Sequence, residues 1–392
     1  MFSTLHIVHL VHIAHHRLYT RLVLWISILL LLPNSALTQT DERITLEYAD
    51  TLRSRGNVRE LIGNVKVNRG DRRITADRAL YDTDAGVIRL TGKVKLTEPS
   101  RRVRADRMRY DENSGNFEAQ GAVDVAVGDS LRIRCYTAYY TDKTSILELE
   151  NNLIIDMFSD SSQITGGWGL FNLKDSSGVI EGSPVYRLLI KDDVKRDTLI
   201  IKSRKLEFSR RDNSALFTDD VELSRRDLLA LADTLYHQPD SNRTQMRGAP
   251  LLWRGEDELS GKQIDILYKG QAVRNLTITG DAIALSPARA GDYRKNRLRG
   301  RKLVFDVIDD SSHAVHCEGD AVGRYFVWDE KDVYQGVNLA AADVIDIAIT
   351  GKKTTLIDIV GKANGAFYPP GFEPPDVIEP APKRATAAEK GE

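Results

Sequence analysis

The sequence predicts an all-β protein, an elongated stack of about ten bent two-strand repeats around a continuous apolar interior. Three observations carry that prediction. Residues 74–96 (ITADRALYDTDAGVIRLTGKVKL) and 103–125 (VRADRMRYDENSGNFEAQGAVDV) agree at 8 of 23 positions when offset by 29. A column of glycines then recurs along the body of the chain. Around that column apolar and charged residues alternate with a period of two, the signature of a half-buried β-strand.

The column runs Gly63, Gly92, Gly121, Asn151, Gly182, Asp219, Gly248, Gly280, Gly319 and Gly361, in steps of 29, 29, 30, 31, 37, 29, 32, 39 and 42 residues. Its two exceptions, Asn and Asp, are the other residues that most readily accept a positive φ. Either that backbone need or a packing gap accounts for it. Two positions earlier stand Leu61, Leu90, Ala119, Leu149, Ile180, Phe217, Met246, Ile278, Cys317 and Ile359, none of them polar. Two positions later stand Val65, Val94, Val123, Leu153, Pro184, Val221, Pro250, Ala282, Ala321 and Ala363. Proline donates no ladder hydrogen bond, so weakened or edge pairing is expected at Pro184 and Pro250.

Within one copy, Ile88, Leu90, Val94 and Leu96 share a face, with Arg89, Thr91, Lys93 and Lys95 on the other. In the strand before it Ile74 and Ala76 share a face, but Ala79 and Tyr81 are out of phase by one residue. Val103, Ala105, Met108 and Tyr110 repeat the slip. An extra residue at Asp77–Arg78 and Asp106–Arg107 restores a single face, as a bulge or sharp bend does. Each unit is therefore a bent strand, a turn (DTDAG or DENSG) and a return strand. Units this small cannot bury a face alone and must stack, and they are too short for four-stranded propeller blades of about 40 residues.

The ends differ from this body. Arg17 and Arg21 precede LVLWISILLLL (22–32) and then PNSALTQT. An apolar run that short falls below the roughly 20 residues of a spanning helix, so residues 1–38 are expected to be a cleaved signal peptide, with an uncleaved inner-membrane anchor as the alternative. Five of the eight histidines lie at 6–16, inside this leader, which argues against a metal site. Residues 368–392 hold six of the twelve prolines and are expected to be a flexible tail. The repeats between divide into an N-terminal half, 42–190, and a C-terminal half, 191–367.

Chemistry is sparse. A net charge of −1 in 392 residues removes the electrostatic case for a nucleic-acid binder. Two cysteines exclude a disulfide scaffold or a multi-cysteine zinc site. Cys135 and Cys317 are expected to point inward as small hydrophobes, too far apart to pair. Asp77, Asp106, Asp233 and Asp343 each follow an alanine at matching repeat positions. A residue repeated once per unit is structural in kind, whereas catalysis needs one unique constellation. No catalytic group, metal site or cofactor is expected. Arg72–Arg73, Arg101–Arg102 and Arg225–Arg226 sit at turns into the bent strands, either as solvated ends or as a guanidinium rim suited to phosphate.

Units of the form A-D-x-x-x-Y-D-x-x-x-G followed by T-G-x-V resemble the OstA/LptA family of lipopolysaccharide-transport proteins. The matches are ADRALYDTDAG…LTGKV and ADRMRYDENSG…AQGAV, with ADTLYH (232–237) and GRKLVFDV (300–307) as weaker copies. The resemblance covers about 42–367 and implies an elongated β-jellyroll of V-shaped strands with an apolar groove for the acyl chains of lipid A. On that implication the lining comprises Ile74, Tyr81, Ile88, Leu90, Val94, Leu96, Val103, Met108, Tyr110, Phe117, Val123, Val125, Leu149, Leu153, Phe217, Val221 and Ile278. It also implies a periplasmic location, an inner-membrane export complex, an outer-membrane assembly barrel and end-to-end self-association. The chain departs from the family in having about twice the repeats of a typical stand-alone bridge protein, and no C-terminal barrel.

The function expected is therefore non-enzymatic carriage of lipopolysaccharide across the periplasm. A secreted structural β-solenoid with a dry core, such as an adhesin or scaffold, is the alternative. A polysaccharide-active enzyme on a β-helix would require a non-repeating acidic cluster, which the sequence lacks.

Overall fold

The computed structural model describes residues 44–375, apart from 159–160, 192–195, 227, 270–271, 290, 309–311, 330, 351–352 and 373. The expected signal peptide and all but the first residues of the expected tail lie outside the described residues. Among the described residues, twenty-six strands form one sheet in which every pairing is antiparallel, and the helical content is one 3₁₀ turn at Pro239–Ser241. Successive strands pair as a meander, so each repeat adds one strand out and one back. Pairing breaks at both proline copies. One strand stops at Glu181 and the next starts at Val185, and another stops at Arg247 and resumes at Leu251.

All ten column positions have positive φ, from 63° at Asp219 to 85° at Gly248. The residue after each is left-handed too, as at Lys93 (φ 48°) and Ala122 (φ 43°). The extra residue of each bend therefore belongs to the column strand, a correction to its expected place at Asp77–Arg78. Gly92 and Lys93 together oppose Asp77 on one side and Asp106 on the other. The slip itself is present, with Asp77 and Arg78 both exposed between buried Ala76 and Ala79.

The packing-gap explanation holds as well. A Cβ on Gly92 would lie 2.8 Å from the Cβ of Asp77, and one on Gly121 would lie 2.9 Å from that of Asp106. Glycine thus meets two demands here, left-handed backbone and room for the aspartate of the preceding strand. Asn151 and Asp219 occupy copies whose facing residues are Tyr136 and Arg204 instead. The recurring aspartates are accounted for by this packing. Among the described residues, no three His, Cys, Asp or Glu side chains group as metal ligands.

The two left-handed residues fold each strand over, so the sheet becomes a jellyroll with two arms. Arm A carries the residues before the column and arm B those after it. A straight strand would hold Phe117 and Val127 roughly 33 Å apart. Yet Arg101, the ladder partner of Val127, brings its guanidinium to 5.6 Å from the Phe117 ring centroid.

Candidate groove between the arms

Cross-strand registers join the inward residues into rows that run the length of the stack. On arm A, two residues before the column, the row begins Leu61–Ala79–Leu90–Met108–Ala119–Ala138–Leu149. It ends Met246–Ile264–Ile278–Leu303–Cys317–Ile345–Ile359. This row is the floor of the V and is buried in both halves until Ile359, which is 40% exposed. Cys135 and Cys317 are both free and buried, and burial pushes each thiol up to about 12.

Arm B tells the halves apart. Four residues past the column, the row begins Val67–Ile74–Leu96–Val103–Val125–Ile133–Ile155–Ile164, each 3% exposed or less. Farther along it becomes Leu223–Ala230–Leu252–Leu259–Ala284–Leu298–Gly323–Ala340–Gly365. Alanine and glycine now interrupt the branched side chains at the same inward place, and the row ends in Gly323, Ala340 and Gly365. The result is a cavity of about 1620 Å³, lined entirely by residues from Ser161 to Phe367. It opens to solvent, since its wall residues Leu189, Tyr325, Ile357 and Phe367 are 37–52% exposed. Gly323 has an ordinary φ, and a Cβ there would meet nothing closer than 3.6 Å. Glycine is not required at that site by its backbone, and what it supplies is space.

The mouths differ in the same way. Arm A near the N-terminal mouth carries Tyr81–Ile88–Tyr110–Phe117–Tyr140–Leu147–Phe171. The row then weakens to Ala215–His237–Thr244, where the aromatic filling stops and the cavity lining takes over. Burial holds the His237 imidazole below its ordinary pKa, and Nδ1 sits 2.8 Å from Thr244 Oγ1.

All seventeen side chains expected to line the groove join one interior, sixteen in the buried core and Tyr81 packed against it. None of them touches the cavity. The open volume lies where the repeat is least like its own consensus, at the small residues of arm B. The column four residues past the anchors carries that signal in the sequence, because it runs Leu223, Leu252, Ala284, Gly323 and Gly365 toward the C-terminus, with Ala230 and Ala340 opposite on the paired strands.

The expected arginine rim is also redistributed. Arg72 reaches across the mouth, donating to Asp142 at 2.8 Å and to the Tyr110 hydroxyl at 3.1 Å, with Glu98 at 3.1 Å from its Nε. Arg101 is 7% exposed, bonded to Glu98 at 2.5 Å and stacked 3.7 Å over Tyr140. These two close the N-terminal mouth. Arg73 pairs with Glu47 at 2.6 Å, and Arg102 and Arg226 are exposed. Of the six, only Arg225 lines the cavity.

Both ends of the stack are sheet edges. Among the described residues, Thr45–Tyr48 and Thr51–Arg55 pair only inward, and Lys353–Val360 and Asn364–Tyr368 only with Tyr334–Thr350. Leu46, Tyr48 and Leu52 are exposed at one end, and Leu356, Ile357, Val360 and Phe367 at the other. No helix among the described residues is long and apolar enough to cross a membrane.

This geometry defines an elongated repeat β-jellyroll with an apolar interior that is filled in one half and open in the other. Residues 75–116 match the model of the family described as LptA/(LptD N-terminal domain) LPS transport protein, so the segment that carries the clearest repeats is OstA/LptA-like. No curated protein matches the chain. Among solved structures, 14 chains match. One is LptH from Pseudomonas aeruginosa, described as the LptA homologous periplasmic component of the conserved lipopolysaccharide transport device. It is 14% identical over 36% of this chain and 95% of its own length, with a TM-score of 0.28.

Proposed function

We propose that this protein is a non-enzymatic periplasmic carrier of lipopolysaccharide, sheltering acyl chains in the cavity of its C-terminal half. One observation carries this reading: alanine and glycine come to interrupt the branched inward row of arm B, ending in Gly323, Ala340 and Gly365, while the floor beneath it stays apolar. Each buried CH₂ is worth about 0.8 kcal/mol, so a lipid with several chains needs continuous apolar cover. A volume of about 1620 Å³ exceeds that of pockets for drug-sized ligands and suits several chains together. The family match at residues 75–116 supports lipopolysaccharide as the cargo.

On this reading the exposed strand edges receive neighbours by strand addition, which supplies backbone hydrogen bonds and covers the apolar side chains. Those neighbours are an inner-membrane export complex, an outer-membrane assembly barrel, or further copies of this chain. Movement of the cargo draws its energy from such a partner. The second reading, a structural solenoid, is favoured by the dry interior of the N-terminal half.

Native mass spectrometry of protein purified from a lipopolysaccharide-bearing host separates the two. Wild-type protein is expected to carry lipopolysaccharide. The Gly323→Val, Ala340→Val double variant, which rebuilds the branched row, is expected to fold as well and carry none. Lipid-free wild-type protein would leave the structural solenoid standing.

A further inference from the structure

The cavity mouth is chemically lopsided. On arm A the wall is apolar through Ile266, Leu276, Phe305, Val315 and Ile347, joined strand to strand, and its lip sets Tyr268, Val273, Val307 and Ile349 beside His313 and Thr354. On arm B, six residues past the column, the lip reads Arg254–Asp257–Ser286–Asn296–Tyr325–Asn338. All six line the cavity, and Arg254, Asp257, Tyr325 and Asn338 are exposed while Ser286 and Asn296 are half-buried. Phe326 N–H donates to Asn296 Oδ1 at 3.0 Å, which fixes that amide at the lip.

In the N-terminal half the same row changes character, from Arg69, Arg72 and Arg101 to Val127, Leu131 and Met157, and there the arginines close the mouth over a filled core. Arg254 and Asp257 are ladder partners of opposite charge, and Arg225, Arg297 and Arg324 also line the cavity on this arm. What it offers is a line of amide, hydroxyl and carboxylate groups about one strand apart, roughly 4.8 Å. That spacing and chemistry fit a polyhydroxylated headgroup.

We infer that the arm B lip from Arg254 to Asn338 is a saccharide-facing rail, which orients an amphiphile with its sugars over arm B and its acyl chains against arm A. The inference rests on the carrier reading and adds a direction of binding to it. A ligand held this way stays in one orientation as it shifts from strand to strand, because both walls keep their character along the row.

One strand, Tyr334–Thr350, carries both probe positions. A benzophenone amino acid is placed at Asn338 on arm B or at Ile347 on arm A of the full chain. The protein is then loaded with lipopolysaccharide, irradiated and digested, and the adducts are sequenced by mass spectrometry. Adducts at Asn338 are expected on the sugar moiety and those at Ile347 on acyl chains. Acyl adducts at both positions, or the reverse assignment, would overturn the rail while leaving the carrier reading intact. Absence of any adduct at either position would overturn both. As a second measurement, the Tyr325→Phe, Asn338→Leu variant is expected to lose about tenfold or more of its preference for lipopolysaccharide over a free fatty acid, two hydrogen bonds of about 1 kcal/mol each being removed. An unchanged preference would refute the rail.

Discussion

The Arg101 guanidinium lies 3.7 Å over the ring of Tyr140, although the two residues sit on opposite arms of the jellyroll. Together with Glu98, Arg72, Tyr110 and Asp142 they clasp the mouth of the N-terminal half. Charge, ring face and hydroxyl all find partners, and the aliphatic core beneath stays dry.

Removing Arg101 leaves the Glu98 carboxylate, whose side chain is 9% exposed, with Arg72 as its remaining partner. Arg101→Ala is expected to cost about 3 kcal/mol, the range for breaking a buried ion pair. Arg101→Lys keeps the charge but loses the flat stacking surface, so it is expected to cost less. Urea unfolding of both variants checks the order, and a double-mutant cycle with Tyr140→Leu isolates the stacking contribution.

Gly92→Ala combines a φ of 78° with a Cβ that would meet the side chain of Asp77. The expected loss is about 2 kcal/mol, from left-handed strain and overpacking together. Asn151 has the same backbone sign without the aspartate opposite, so Asn151→Gly is expected to lie within about 0.5 kcal/mol of wild type. Equal effects in thermal unfolding would show that the column answers to one demand rather than two.

A carboxylate placed on either arm tests whether the two interiors differ. Phe117 is 4% exposed in the filled half, and Phe117→Asp is expected to cost several kcal/mol, as any buried unpaired charge does. Ala340 is half-buried on the cavity wall, and Ala340→Asp is expected to cost under about 1 kcal/mol because water reaches it. Similar unfolding midpoints for the two variants would mean that the cavity is not wetted.

His316 on the outer face shares a short hydrogen bond with Asp346, 2.6 Å from its Nδ1, and Glu318 lies 3.5 Å from its Nε2. The hydrogen bond to Asp346 raises the imidazole above its ordinary 6.5. A raised folded value means the charged form stabilises the fold. Its contribution is complete below the unfolded value and is lost as pH rises through the folded one. The side chain is 40% exposed, so the effect is expected to be about 0.5 kcal/mol. NMR titration of His316 in wild type and in Asp346→Asn checks it, with the variant expected to titrate lower.

Local signals in the sequence determined the strands, their alternation, the left-handed column and the proline breaks, because each depends on a residue and its immediate neighbours. The inward direction of Leu90, Val94 and Phe117 follows from the same period of two, and the structure buries all three. Which interior is open could not be read that way. Cavity volume depends on side chains summed over both arms, and Gly323 or Ala340 looks unremarkable until it stands in a row with Ala284 and Gly365. The clasp was hidden for a similar reason, since Arg72 and Asp142 are 70 residues apart and meet only after the sheet folds over. Arg72 and Arg101, which the sequence offered either as solvated strand ends or as part of a rim for phosphate, are held by Glu98, Asp142 and Tyr140, because folding brings those acceptors and that ring within reach.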